Sequence, residues 1–305
     1  MIQKLSIAPY IRTWRRTWLI MMIVAFTLLP HVILAYFNHG SMVVQHIGLM
    51  IAGTIGWELM MNALYRRWTL LDGSAILTGL ILALITPLNL DLMIMIQITF
   101  FAIIIAKWMF GGLGFNYMNP AMFALLIGLL SWPLQIDLLQ DNSVTIWSGL
   151  TLASDMYQLD ELAGYQLWSL GFYSSMIMIG AFVILVSTGM ISWETTLSYL
   201  VSYGLFSYLF LGLTHWYESL FMMLTPMNLL IGVYLINNPS SLPSTFTGRI
   251  IKSMIVALLL GIFQQKSGYL IVLIPIAILL GDLLVPMIDR YTQGRTFSKV
   301  RVGGK

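Results

Sequence analysis

The 305-residue chain contains no cysteine. That excludes disulfides, thiolate metal sites and cysteine-held iron–sulfur clusters in this chain. Charge is almost as scarce: 9% of residues are Asp, Glu, Lys or Arg, where soluble domains run near a quarter. With 59% apolar residues and a mean hydropathy of +0.86, the composition excludes an ordinary soluble domain and indicates a polytopic membrane protein. A net charge of +3 and a pI near 9.0 would suit a nucleic-acid binder. The placement of the charges explains them by topology instead, and no nucleic-acid partner is expected. No cleavable signal peptide is evident either. Met1–Ile11 is polar-mixed before the chain turns basic, and the first apolar run, Trp18–Tyr36, is long enough to span.

Basic residues are lacking, too, from one set of segment ends. Ten apolar spans are read near 17–37, 44–64, 71–87, 91–109, 119–136, 166–189, 194–213, 217–237, 247–264 and 268–288. Fourteen basic residues fall at one set of ends, among them Arg15, Arg16, Arg66, Arg67, Lys107, Arg249, Lys252 and Arg290; the other set has only Lys266. The positive-inside rule then puts both termini in the cytoplasm. The long loop 134–165 carries Asp137, Asp141, Asp155, Asp160 and Glu161 with no Lys or Arg, and belongs outside. The expected layout is a cytoplasmic arm (1–16), a five-helix half (17–133), the external loop (134–165), a second five-helix half (166–290) and a basic cytoplasmic tail (291–305). The expected fold class is therefore all-α and polytopic, with about ten transmembrane helices. Asn119-Pro120 and Asn238-Pro239 interrupt the two halves at matching places. That pattern suggests inverted repeats around a central binding site.

The most informative stretch is Gly111-Gly112-Leu113-Gly114-Phe115-Asn116-Tyr117-Met118-Asn119-Pro120-Ala121. Three glycines in four residues allow positive φ or a close approach of the backbone. Asn116 and Asn119 add donors and acceptors, and Pro120 suits a first helical turn. Polar, broken backbone at membrane depth needs protein, water or a ligand to satisfy it. Earlier in the chain, Glu58 sits inside an apolar span, eight residues before Arg66, or about 12 Å of helix. A carboxylate there costs roughly 2.5–3.5 kcal/mol on insertion scales, so it is expected to face the bundle interior. Asp72 or Ser74 caps the next helix, which also carries Thr78. Such a helix start attracts anions such as a phosphate. Four histidines show no facing pair at helical spacing, and no haem ligation is expected.

These residues resemble a known family. The Gly/Asn/Pro stretch is similar to the signature of the D subunit of Rnf electron-transport complexes and of the B subunit of sodium-pumping NADH:quinone reductases. Glu58 followed by Arg66-Arg67 and Asp72-Gly73-Ser74 fits the same pattern. Leu235-Ile236-Asn237-Asn238-Pro239-Ser240-Ser241-Leu242-Pro243 with Gly248-Arg249 resembles the family's Thr-Asp-Pro-Val-Thr segment ending in Gly-Arg, with Asn237-Asn238 in place of Thr-Asp. The C-terminal block from Ile262-Phe263 through Gly281-Asp282 to Tyr291-Thr292 is similar as well. In the external loop, Thr145-Ile146-Trp147-Ser148-Gly149-Leu150-Thr151 lies where the family carries its flavin-attachment motif. Thr145 stands where that motif has Asp, and Leu150 where it has Ala.

The resemblance implies a membrane-embedded subunit that passes electrons through flavin across the bilayer, with other membrane and flavoprotein subunits as partners and a quinone as a further one. It implies FMN on Thr151 through a phosphoester, with Ser148-Gly149 forming the turn. The alternative is FMN or riboflavin held without a covalent bond. The non-covalent site is expected to face the cytoplasm and to be lined by Gly112, Gly114, Asn116, Asn119, Asn238 and Arg249; Gly111, Asp72, Ser74 and Thr78 are further cofactor-binding candidates, and Glu58 a further functional one. It implies a scaffold like that of urea channels, so a channel or carrier for a small solute or ion is the rival function. A structural anchor for a partner flavoprotein is the third.

Overall fold

The computed structural model describes residues 17–133, 174–211, 215–266 and 270–293. Among the described residues every regular element is helical. Helix α1 (Thr17–His39) and α2 (Ser41–Tyr65) form a hairpin that turns at Gly40. A short 3-10 turn (Leu70–Asp72) leads into α3 (Ser74–Ile85). Helix α4 (Leu92–Phe100) continues as a π-helical stretch, Phe101–Trp108, and α5 covers Pro120–Ser131. After the undescribed segment come α6 (Ser175–Ser187), α7 (Trp193–Leu211) and α8 (Trp216–Met223). Helix α9 (Pro226–Leu230) runs into a second π-helical stretch, Ile231–Leu235. The last two are α10 (Phe246–Lys266) and α11 (Leu270–Thr292).

Ten membrane-long helices do not appear as such. Among the described residues three, Thr17–His39, Ser41–Tyr65 and Phe246–Phe263, are long and apolar enough to cross a bilayer alone. A fourth crossing results if Trp216–Met223 and Pro226–Leu235, bent by 53°, count as one broken span. Four further apolar helices, Ser74–Ile85, Leu92–Trp108, Pro120–Ser131 and Ser175–Ser187, have 10–17 residues, and the proline breaks have a local cause. Pro87 forces the residue before it out of the helical region, and Thr86 is extended at φ −84°, ψ 153°, which ends α3 after twelve residues. Pro226 at the start of α9 breaks the eighth segment in the same way.

Packing follows the order of the chain within each half. Helix α2 lies against α3 and α4, while α10 lies against α7 and α11. Contacts that cross between the halves include α1 with α6 and α5 with α11. Leu28, Met50, Leu82, Ile98, Met122, Leu185, Val233, Leu260 and Ile278 belong to one continuous buried core. Many apolar side chains on the outside remain exposed, such as Phe26, Leu64, Val201 and Met287. Exposed apolar surface on this scale is what a bilayer covers.

Candidate functional site

Glu58 on α2 is fully buried. Both its carboxylate oxygens lie 2.9 Å from Lys107 Nζ, and Oε2 also accepts the Trp108 indole N–H at 3.0 Å. The Thr69 hydroxyl donates to Oε1. Lys107 sits in the first π-helical stretch and is itself 1% exposed. It donates a further bond, 2.7 Å long, to Ser74 Oγ. The Asp72 carboxylate in turn accepts from Ser74 Oγ at 2.6 Å and from the Ser74 backbone N–H at 2.9 Å. So Asp72 satisfies one of the free N–H groups at the start of α3. Burying either ion of the Glu58–Lys107 pair alone would cost several kcal/mol; together, with these added bonds, they are tolerated.

The glycine stretch closes the same end of the bundle. Gly111, Gly112 and Gly114 have φ of 109°, 99° and 91°, values that side chains with a Cβ resist. The Gly112 N–H donates to Lys107 O at 3.1 Å and closes the π-helical stretch. Asn116 Oδ1 accepts from the Gly114 N–H, and its amide donates to Met118 O. Asn119 caps α5 by accepting the Ala121 N–H at 3.1 Å. It also reaches the other half: Asn119 Nδ2 donates to Leu235 O at 3.1 Å, and its backbone N–H donates to Asp282 Oδ2 at 2.9 Å.

The second break mirrors this chemistry. Asn237 is fully engaged, donating to Gly232 O and Thr196 Oγ1 and accepting from Ser192 Oγ. Asn238 is not: its Nδ2 is buried with no partner.

Between the two breaks lies a small cleft that opens to the protein surface. Ser74, Thr78, Asn116, Asn119 and Asn238 line it, together with Lys107 and Asn237. Apolar walls come from Met21 and Val24 on α1, Leu77 and Ile81 on α3, and Val233 and Tyr234 before the second break. The starts of α3 and α5, at Ser74 and Pro120, both open on it. Lys107 is the one charged group among the described lining residues, and Glu58 neutralises it.

Five of the expected site residues are thus brought together. The others stand elsewhere. Glu58 and Asp72 lie behind Lys107 and Ser74, and Gly111, Gly112 and Gly114 shape the loop while the intervening Leu113 meets the cleft. Arg249 lines nothing here: it pairs with Glu194 Oε1 at 2.6 Å and donates to Pro243 O at 3.1 Å. Thr151, Ser148 and Gly149 lie outside the described residues. Lys107 and Lys252 correct the reading of segment ends: both are buried in ion pairs and are not interfacial cations. Taking them out of the fourteen leaves twelve basic residues against one, so the asymmetry survives. A lysine at the end of an apolar run, 49 residues from an intramembrane glutamate, was the available signal for the first pair. Among the described residues no group of three His, Asp or Glu is placed to hold a metal ion.

Helices able to cross a bilayer, packed around a cleft between two broken segments, define an integral membrane protein. The chain belongs to the NQR2, RnfD, RnfE family, whose profile matches residues 4–298. It is 26% identical to the D subunit of an ion-translocating oxidoreductase complex of Psychromonas ingrahamii, covering 97% of this chain and 99% of that protein. It is 27% identical to the corresponding protein of Colwellia psychrerythraea, covering 96% and 97%. The D subunit of a Na(+)-translocating ferredoxin:NAD(+) oxidoreductase complex of Acetobacterium woodii is 27% identical, over 97% of this chain and 96% of that one.

Proposed function

We propose that the chain is a membrane subunit of an ion-translocating electron-transport complex and that its cleft holds a flavin without a covalent bond. The observation that carries the ligand reading is the cleft itself, where the buried Asn238 Nδ2 faces no acceptor from the protein. An unpaired buried donor costs about 1–3 kcal/mol, and the carbonyl-rich edge of an isoalloxazine would relieve it. Ser74, Thr78 and Asn116 would take ribityl hydroxyls, and the apolar walls would exclude water from the ring. Bound there, the flavin would supply the electron-transfer chemistry that a chain without thiolates lacks. The partner subunits, and a quinone, would exchange electrons with it.

The electrostatics favour an uncharged flavin. Lys107 already gives its charge to Glu58, and Arg249 to Glu194, so the cleft offers no free cation to a phosphate dianion. FMN on Thr151 is then a separate site, on the outer side. Acid extraction of the purified full chain, followed by chromatography, tests both statements. Riboflavin is expected in the soluble fraction, whereas FMN carried covalently by Thr151 would stay with the precipitated protein. A colourless chain would turn the reading toward a solute pathway, which the paired breaks also suit.

The finer topology belongs to the same proposal. Both termini are cytoplasmic, in a cell membrane, and the apolar segments form ten crossings in two inverted halves. Each Asn-Pro break follows a π-helical stretch, which supports the duplication. The cysteine-free background makes orientation measurable. Asn38→Cys, on the α1–α2 turn, is expected to react with an impermeant maleimide in intact cells, while Trp68→Cys reacts only after lysis. The reverse pattern would invert the chain in the membrane.

A further inference from the structure

Lys252 and Asp282 are both fully buried, with Nζ 2.7 Å from Oδ1, yet neither lines the cleft. Each holds a different break. Asp282 Oδ2 accepts the backbone N–H of Asn119, the residue that starts α5 in the first half. Lys252 Nζ donates to Ser241 O at 2.8 Å and to Ile236 O at 3.4 Å, on either side of Asn238-Pro239. One ion pair, carried by α10 and α11, therefore grips both Asn-Pro breaks. The approach of these two helices depends on Gly281, where a Cβ would come within 2.5 Å of Val256 Cγ2. Like Glu58–Lys107 and Glu194–Arg249, the pair itself lies within one half, but of these three pairs among the described residues it is the one that bonds to the other half, through Asn119.

We propose that the Lys252–Asp282 pair is a positioning latch that fixes the two breaks against each other and so sets the width of the cleft. The chemistry suits the task. A carboxylate accepting a backbone N–H holds main chain, not a mobile side chain, and an ammonium offers three donors to the carboxylate and two carbonyls. Because the pair is desolvated, the charged bonds are strong and geometrically narrow. The latch is independent of which ligand the cleft holds; only its spectral readout rests on the flavin reading.

The test uses the full chain with one added thiol, Ser240→Cys, at the cleft wall. Maleimide labelling rate, thermal midpoint and flavin absorbance are measured with the native pair, with Asp282→Asn, and with Lys252→Met/Asp282→Leu. Asp282→Asn keeps an acceptor for Asn119 but leaves Lys252 without its counter-charge. The double variant replaces the pair by apolar groups of similar size, which restores burial without the grip. A latch predicts labelling about tenfold faster in both variants, equivalent to ~1.4 kcal/mol easier opening. It also predicts a changed flavin spectrum in the double variant even when its thermal midpoint is native. A double variant with native midpoint and native labelling rate makes the pair packing only, and overturns the proposal. If the double variant does not fold, Asp282→Asn decides alone: unchanged labelling overturns the latch, faster labelling supports it. A preparation colourless in every variant removes the flavin reading, and the labelling comparison still decides the latch.

Discussion

Glu58→Leu is expected to destabilise the chain by about 3–5 kcal/mol, because it strands the Lys107 ammonium in the interior. Lys107 is 1% exposed and makes its bonds to Glu58 and Ser74. With both carboxylate oxygens gone, Ser74 Oγ is the acceptor left to it within the cluster. Lys107→Met should cost a similar amount, leaving the Glu58 carboxylate with only the Trp108 and Thr69 donors. Combining Glu58→Leu with Lys107→Met removes both charges, and the pair of changes is expected to recover most of the loss. Denaturant titration of the solubilised full chain gives the three values. Two single variants that each lose under about 1 kcal/mol would mean that water reaches Lys107, against the burial described.

Asn238→Leu is expected to weaken riboflavin binding by about 5–150-fold, the factor corresponding to about 1–3 kcal/mol for one unmade hydrogen bond in a buried site. Leu keeps the branched outline of Asn with two methyl groups in place of the amide, so the wall of the cleft stays filled while the unpartnered amide is lost. Fluorescence quenching of added riboflavin on flavin-stripped protein reads the effect. Arg249→Gln, off the cleft and engaged with Glu194, is the control and is expected to change affinity less than twofold. A large loss in Arg249→Gln with none in Asn238→Leu would move the site away from the cleft toward the start of α10.

What can be read from the chain itself is whatever depends on near neighbours. The bilayer environment follows from composition, since 9% charge cannot cover a soluble surface. The start of α5 at Pro120 and its cap at Asn119 are local chemistry, as is the positive-φ turn through Gly111, Gly112 and Gly114. Membership of the family rests on a match over residues 4–298, nearly the whole chain.

Tertiary structure decided the rest. A lysine near the end of an apolar run looks interfacial when read alone, because sequence spacing gives depth only along its own helix. Lys107 is turned inward by a glutamate 49 residues away, and Lys252 by Asp282 on the neighbouring helix. The number of membrane-long helices was also beyond a hydropathy reading, since Pro226 breaks a segment whose apolar content runs on past it. Most of all, Asn119, which lines the cleft, meets Asp282 across 163 residues. No local propensity encodes that contact: it exists only once α5 packs on α11, where a buried carboxylate must find donors and a helix start must find acceptors.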